Sequence, residues 1–315
     1  MRSRLVTVFG GTGFIGRHLV RRLAARELRI RVVSRNWRVH GRVLQPMGDV
    51  GQIVGGPADL ASEAALAQLL AGSDAVVNLI GILYESRRQT FAEVHGELPG
   101  RIARAAVAAG VTRMVQISAI GADLSARSAY ARSKAQGEQA VPAALRAATI
   151  LRPSIVVGPE DGLFNRFAAM ARLLPALPLI GGGRTRFQPV WVGDVADAIV
   201  AALEREDARG ETFELGGPKV YSFAELMRYM LKVVGRRRLL LPLSFEVATL
   251  QARVMELLPA PPLTRDQVEL LKTDNVVGAH ARTLADLGIT PTPIELVVPD
   301  YLVRYRARPG ALAEP

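Results

Sequence analysis

A glycine-rich turn near the start of the chain limits the possible folds more than any other feature. An apolar run over residues 5–9 leads into G-x-x-G-x-x-G, and an apolar-periodic helix follows. Gly10 permits a tight turn out of the strand, Gly13 lets a ligand approach the backbone, and Gly16 lets helix and strand pack closely. The start of such a helix attracts phosphates. A structural glycine turn is the alternative, but this context favours a dinucleotide site at Gly10, Thr12, Gly13, Phe14, Ile15 and Gly16.

The end of the second predicted strand indicates which dinucleotide is bound. NAD-binding domains of this type carry an acidic residue about twenty residues beyond the glycines, where it bonds the ribose hydroxyls. Here Ser34 and Arg35 occupy that place, with no Asp or Glu beside them. An arginine suits a 2′-phosphate because it makes a charge-assisted contact. We therefore expect NADPH; an ordinary surface arginine is the alternative in this arginine-rich chain.

The composition restricts the class of protein. The chain has 315 residues, 49% of them hydrophobic, so it can bury a large core. It contains no cysteine, which excludes disulfides, thiolate metal sites and thiol nucleophiles. The net charge of +11 suits an acidic partner or anionic lipid, and with 5% aromatic residues and no recognition motif we expect no nucleic-acid partner. We expect neither a signal peptide nor a membrane-spanning segment.

Strand and helix patterns alternate along the first half of the chain. Predicted helices near 13–26, 62–71, 90–109 and 130–146 separate predicted strands at 4–9, 29–34, 52–55, 75–80, 113–118 and 148–152. This alternation predicts an α/β fold, a Rossmann-type doubly wound parallel sheet. Proline and glycine become more frequent after residue 152. We predict an NADP-binding domain over 1–155, a smaller substrate-binding or partner-docking lobe over 156–305, either separate or interleaved, and a tail over 306–315.

Two further segments follow predicted strands, at the sheet edge where ligands bind. Asp59 and Leu60 come after the third strand, where an aspartate can bond the adenine amino group or, equally, serve as a loop or cap residue. The segment from Asn78 to Gly81 ends the fourth strand, and Gly81 lets the chain pass close to the cofactor's ribose. We include all four residues in the predicted nucleotide site.

A tyrosine and a lysine form the predicted reactive pair. Tyr130 and Lys134 stand four residues apart in a helical segment, which puts them on one helix face. An ammonium group beside a phenol favours the phenolate form and can also hold the nicotinamide ribose. Ser118, which closes the fifth strand, can bond a substrate carbonyl. A plain surface pair is the alternative, but the position after strand five favours a catalytic or cofactor-binding role.

In combination, these residues resemble the short-chain dehydrogenase/reductase superfamily, in its extended and atypical branch. The glycine turn, Asp59-Leu60, the segment 78–81, Ser118 and Tyr130 to Lys134 follow the order typical of that superfamily over roughly residues 1–220. Segments 116–122, 187–192 and 263–271 are similar to the NADPH-binding accessory subunits of respiratory complex I, the NADH:quinone oxidoreductase, in their bacterial form.

That resemblance implies a bound NADPH that need not turn over. It also implies complex I subunits as partners, on the peripheral arm near the membrane, and a cytoplasmic location peripheral to the inner membrane. Only eleven residues separate Ser118 from Tyr130, and Ala119 and Ile120 stand where active members often carry the catalytic serine. We expect a structural nucleotide. The alternative is an active NADPH-dependent reductase, epimerase or dehydratase acting on a small or lipid-like substrate.

An apolar stripe in the second half is the remaining candidate for function. Apolar residues recur with helical spacing over 243–258, at Leu243, Val247, Leu250, Val254 and Leu257. We predict that this stripe docks onto a partner. Packing on the protein's own core is an alternative of nearly equal weight.

Overall fold

The computed structural model describes residues 4–306. Within that range, two compact units interleave along the chain. The first unit contains the residues up to Pro153, Val192–Leu215 and Gly278–Thr290; the second contains Ser154–Trp191, Gly216–Val277 and the residues from Pro291 onward. The predicted domain boundary at 155 and 156 stays a prediction. The predicted tail over 306–315 lies outside the described residues, apart from Arg306.

The strands of the described range are numbered in chain order. They are β1 (Leu5–Phe9), β2 (Arg29–Val33), β3 (Ile53–Gly56), β4 (Ala75–Asn78), β5 (Met114–Ile117), β6 (Thr149–Pro153), β7 (Val156–Val157), β8 (Ala176–Ile180), β9 (Arg186–Phe187), β10 (Val190–Trp191), β11 (Thr212–Leu215), β12 (Tyr221–Ser222) and β13 (Leu239–Leu243).

The helices are numbered in the same way. They are α1 (Phe14–Ala24), α2 (Trp37–Leu44), α3 (Glu63–Leu70), α4 (Leu98–Ala108), α5 (Ala129–Ala144), α6 (Phe164–Leu173), α7 (Val192–Glu204), α8 (Phe223–Val233), α9 (Phe245–Met255), α10 (Arg265–Leu270) and α11 (Ile294–Leu302). A π-helical segment, Ala92–Glu97, leads into α4. None of these helices is both long enough and apolar enough to cross a membrane.

One parallel sheet forms the centre of the first unit. Its seven strands lie in the order β11-β6-β5-β4-β1-β2-β3, and every pair of neighbours is parallel. This confirms the predicted α/β fold with a Rossmann-type doubly wound sheet. Six of the strands match predicted ones. The seventh, β11, was not predicted because it is an edge strand whose residues alternate between half-buried and buried, so its sequence shows no apolar run.

Burial explains why these segments form the sheet. All five residues of β1 are buried, as expected for a strand that helices cover on both faces. α1 packs on α7, and α4 packs against both α3 and α5. One core cluster joins side chains of the sheet, α3 and α4, among them Phe9, Val33, Leu66, Leu70, Val76 and Ile102. The sheet therefore holds the carboxyl ends of its strands at one edge.

The second unit contains three small two-stranded sheets and its own core. β7 pairs with β10 and β8 with β13 in parallel, whereas β9 and β12 are antiparallel. Its main core cluster includes side chains of α6, α8 and α11, among them Phe164, Phe223, Met227, Met230 and Val298. A smaller cluster joins Ile180, Ala248, Ala252 and Val268. α10 begins with a capping box formed by Thr264 and Gln267.

The apolar stripe of α9 is exposed. Ala248 and Ala252 are the buried residues of this helix. The larger apolar side chains point to solvent, with exposed fractions of 45% for Val247, 65% for Leu250 and 63% for Val254. Leu257 and Leu258, just after the helix, are also exposed. The core-packing alternative is therefore wrong for these side chains, whereas Leu243, the first residue of the predicted stripe, is half-buried and packs against the smaller cluster. Docking onto a partner stays a prediction.

Candidate nucleotide-binding site

The glycine turn adopts the geometry that the sequence predicts. Gly10 follows β1 with a φ of +77°, a value that favours glycine. A Cβ on Gly16 would lie 2.5 Å from the carbonyl carbon and oxygen of Gly11, so only glycine lets α1 pack this closely on the turn. Gly13 is the N-cap of α1 and supplies no capping side chain. The first N–H groups of α1 are thus placed as a phosphate site requires.

The predicted specificity residues lie beside this turn. The hydroxyl oxygens of Thr12 and Ser34 are 2.6 Å apart, which ties the glycine turn to the end of β2. Arg35 follows directly, and its side chain is exposed. No hydrogen bond or ion pair to another residue of the range 4–306 holds the Arg35 guanidinium. It is therefore available to a ligand at this edge.

The segments after β3 and β4 differ in how they are held. Asp59 accepts a hydrogen bond from the amide of Ala61 (2.9 Å), as a loop aspartate does. The carbonyl of Leu60 accepts from Arg101 (2.9 Å). Neither of these two hydrogen bonds is made to the glycine turn. The adenine-binding alternative for Asp59 stays a prediction.

The side chain of Asn78 stabilises the carboxyl end of β4 by hydrogen bonds. Its amide donates to Gln116 Oε1 (2.9 Å), and its Oδ1 accepts from the amide of Ile80 (3.1 Å). Both side chains are buried, so this pair links the carboxyl ends of β4 and β5 from within the protein. Three residues further on, Gly81 is exposed. A Cβ on Gly81 would lie 3.4 Å from His95 Nε2 and 3.7 Å from Lys134 Nζ. The two predicted segments, 78–81 and 130–134, are thus brought together.

The tyrosine–lysine pair lies in the first two turns of α5. Ser128 caps this helix by accepting from the amide of Ala131. Lys134 Nζ lies 5.7 Å from the centre of the Tyr130 ring and donates to the carbonyl of Ile117 at 3.5 Å. Because Ile117 ends β5, this contact places Lys134 next to Ser118. Burial lowers the pKa of Lys134 to about 8, although Glu138 opposes the change.

An ion pair holds α5 against the sheet. Glu138, one turn beyond Lys134, accepts from Arg152 Nε of β6 (2.8 Å), and Arg152 also reaches Glu214 of β11 (3.4 Å). These carboxylates raise the pKa of Arg152 above its usual value. The guanidinium thus stays charged and links α5 to two strands.

A buried hydroxyl gives the clearest sign of a ligand. Ser118 is 4% exposed, and its Oγ is the one buried side-chain polar atom of residues 4–306 without a hydrogen-bond partner. Such an atom needs an explanation, because an unmet hydrogen bond costs free energy. The orphaned Oγ, the bare N-cap at Gly13 and the glycine at position 81 together fit a nicotinamide dinucleotide laid along this edge.

Sequence reasoning missed the part that His95 plays in this site. The four histidines show no metal-ligand spacing, so the sequence predicts a structural or surface role for each of them. His95 is buried, and its ring lies 5.1 Å from the Tyr130 ring. Burial and, to a lesser extent, the charge of Lys134 lower its pKa to about 3. Only the position in the predicted helix 90–109, facing α5, could have indicated this contact.

Comparison with known proteins gives two kinds of relative. Residues 6–216 match the NAD dependent epimerase/dehydratase family. The chain is 37% identical over 313 residues to NADH dehydrogenase (ubiquinone) 1 alpha subcomplex subunit 9, a mitochondrial protein of Arabidopsis thaliana, covering 96% of this chain and 78% of that protein. It is 32% identical over 344 residues to 2-alkyl-3-oxoalkanoate reductase of Stenotrophomonas maltophilia, covering 97% and 99%.

Solved structures agree on the fold. The dTDP-glucose 4,6-dehydratase from Streptomyces venezuelae, with NAD and TYD bound, superposes with a TM-score of 0.74 at 21% identity and covers 96% of both chains. The family match spans more than half of the sequence and includes the glycine turn, Ser118, Tyr130 and Lys134. In agreement with the resemblance to short-chain dehydrogenases and reductases, this chain belongs to the NAD dependent epimerase/dehydratase family.

Proposed function

We propose that this chain is an NADPH-binding accessory subunit of respiratory complex I, in which the nucleotide is structural. The observation that carries the proposal is the 37% identity to a subunit of mitochondrial NADH dehydrogenase, which extends over 96% of this chain. The family match ends at residue 216, whereas that similarity continues through most of the second unit. A likeness that includes the second unit favours a shared role as a subunit.

In this proposal the site holds the nucleotide from both ends. The turn at Gly10, Gly13 and Gly16 takes the pyrophosphate, and Arg35 takes the 2′-phosphate. Tyr130 and Lys134 hold the nicotinamide ribose. Thr12, Phe14, Ile15, Ser34, Asp59, Leu60, Asn78 and Gly81 complete the proposed contacts. A bound nicotinamide nucleotide supplies a hydride donor, but the apolar Ala119 and Ile120 offer no hydroxyl to a substrate carbonyl.

The proposed partners are the other complex I subunits, on the peripheral arm close to the membrane. The chain would thus lie on the cytoplasmic side, peripheral to the inner membrane. The exposed apolar face of α9 is the proposed contact in the second unit. The basic charge of +11 suits neighbouring acidic surfaces.

An active reductase, epimerase or dehydratase is the second candidate. Tyr130, Lys134 and the orphaned Ser118 Oγ support it, because all three groups of an acid–base site are retained. The similarity to 2-alkyl-3-oxoalkanoate reductase also supports a lipid-like substrate. The two candidates differ in whether bound NADPH is consumed.

Isolation from native membranes tests the proposal. The tagged full-length chain should purify from detergent-solubilised membranes together with the subunits of NADH:quinone oxidoreductase and retain one NADPH. The same preparation should leave NADPH absorbance steady in the presence of carbonyl, sugar-nucleotide and quinone substrates. A substrate-dependent rate that disappears in Tyr130→Phe, from a chain that purifies alone, would favour the enzyme instead.

Arg35 should determine the preference for NADPH over NADH. One charge-assisted contact contributes about 1.5–3 kcal/mol, which corresponds to roughly ten- to a hundredfold in affinity. Arg35→Asp should therefore abolish or reverse the preference, because the new carboxylate repels a 2′-phosphate and accepts from ribose hydroxyls. Calorimetric titration of both nucleotides measures it.

A charge-matched control is available in the same unit. Arg146 is exposed and lies before β6, at the opposite edge of the sheet from the glycine turn. Arg146→Asp makes the same change in net charge and should leave the preference intact. Equal affinities of the wild type for NADH and NADPH would show that Arg35 does not contact the 2′-phosphate.

A further inference from the structure

Two rings lie against Tyr130 at the π-helical segment before α4: Phe91, the residue that precedes the segment, and His95 inside it. The rings of Phe91 and His95 are stacked, with centroids 5.6 Å apart and planes at 18°. Both meet the Tyr130 ring edge-on, Phe91 at 5.7 Å and His95 at 5.1 Å. π-helical turns are rare and occur often at functional sites. Phe91 and the π-helical segment Ala92–Glu97 thus pack against one side of the Tyr130 ring.

The backbone of His95 is fixed against α5. A Cβ on Gly137 would lie 2.1 Å from the carbonyl oxygen of His95, so a glycine is required where the two elements meet. The amide oxygen of Gln136 packs in the same way over Gly96. Because α5 carries Tyr130 and Lys134, this close packing fixes His95 relative to both.

Hydrogen bonds fix the ring of His95 and its tautomer. Ser133 donates its hydroxyl proton to the carbonyl of Tyr130 (2.8 Å), so its oxygen accepts from His95 Nδ1 (3.2 Å). The other nitrogen, Nε2, then accepts from the amide of Ile82 (3.0 Å). The ring is neutral, with the proton on Nδ1, and both of its nitrogens are engaged. It joins α5 to the residue after Gly81.

We propose that His95 is a positioning residue for the nicotinamide-ribose end of the nucleotide site. It orients the Tyr130 ring by edge contact and holds the Gly81–Ile82 backbone beside Lys134 by accepting the Ile82 amide. This inference rests on the proposed nucleotide binding. His95 itself touches no nucleotide, because it is 2% exposed behind Tyr130 and Gly81.

Two ligands separate positioning from a general structural role. Adenosine 2′,5′-bisphosphate has the adenine end and the 2′-phosphate of NADPH but lacks the nicotinamide ribose. In the nucleotide-free full-length chain, His95→Phe keeps a flat ring but loses both hydrogen bonds. It should weaken NADPH binding by about ten- to a hundredfold and leave the bisphosphate within twofold. Calorimetry at pH 7.5 measures both affinities.

Each result decides between the two roles. An equal loss for both ligands, or no loss for either, would overturn the positioning role. If His95→Phe does not fold, His95→Gln takes its place, since its amide oxygen can still accept from Ile82 while the ring is gone. A selective loss of NADPH affinity of threefold or more is then expected, and equal affinities overturn the inference. A wild type that binds neither ligand would overturn the proposed nucleotide site as well.

Discussion

Replacing Leu250 and Val254 with aspartate will release the chain from native membranes and leave the nucleotide-binding unit folded. Both side chains are exposed, so new carboxylates there disturb no core. Burial of each side chain against a partner contributes about 1.5–3 kcal/mol. Loss of both therefore weakens the contact by at least about a hundredfold. The measurement is the fraction of tagged chain on washed membranes, with NADPH affinity as the test of folding.

The control is a second exposed pair with the same spacing. Val39 and Val43 of α2, in the first unit, are 69% and 53% exposed. Their replacement by aspartate should leave the chain on the membrane. Release of both double variants would show that added negative charge is the cause. Retention of the α9 variant would remove this helix face from the interface, and global unfolding would show that the side chains belong to a core.

The arrangement of α9 is unusual for a surface helix whose outer face contacts only solvent. Surface helices place their large apolar residues toward the core and their small or polar residues outward. Here Ala248 and Ala252 are buried, while Leu250 and Val254 are exposed. Contiguous exposed apolar side chains of this kind mark interaction surfaces. This reversal is the structural argument for a partner on α9.

Much of the first unit could be predicted because local sequence and tertiary contacts agree there. The glycine turn needs a positive φ at Gly10 and the absence of a Cβ at Gly16, and the sequence meets both requirements with glycines. The buried parallel strands show as apolar runs. By contrast, β11 is an edge strand in which Phe213 and Leu215 are buried while Thr212 and Glu214 are half-buried. It therefore lacks the apolar run of the inner strands, and its place in the sheet follows from its pairing with β6.

The motifs of the candidate site could be predicted, but the buried contacts that hold its residues in place could not. Tyr130 and Lys134 are recognisable by their spacing of four. The contact of His95 with Tyr130 depends on a π-helical turn and on close packing at Gly137, and neither leaves a periodic signal. In the same way, the pairing of Asn78 with Gln116 follows from the register of β4 and β5. Such contacts can be identified only once the pairing of the strands is known.

The retained tyrosine and lysine do not by themselves decide between a subunit and an enzyme. The same two groups that would move a proton also hold a ribose. The surroundings of Ser118 are compatible with both functions: within residues 4–306 its Oγ has no hydrogen-bond partner, and Ala119 and Ile120 follow it. A hydroxyl in that position suits a bound nucleotide in either case. Consumption of bound NADPH is therefore the property that distinguishes the enzyme from the subunit.

Acidification will destabilise the first unit through His95. In the folded chain its pKa is about 3, against an ordinary value of 6.5. The neutral ring is thus favoured by folding, and its contribution is complete above pH 6.5 and lost as the pH falls toward 3. At about 1.4 kcal/mol per unit of pKa, the loss amounts to about 2 kcal/mol at pH 5 and about 5 kcal/mol when titration is complete.

Urea unfolding at pH 7.5 and pH 5 measures this contribution. Trp37 lies in the first unit and reports its unfolding, in a Trp191→Phe background because Trp191 belongs to the second unit. Between the two pH values the wild type should lose about 2 kcal/mol more than His95→Phe, which has no imidazole to protonate. Phe91→Leu removes packing from the same buried cluster without removing a titrating group, so it should retain the wild-type difference between the two pH values. If wild type and His95→Phe instead lose the same free energy on acidification, His95 is protonated in the folded chain without penalty, and the neutral hydrogen-bonded ring described above is wrong.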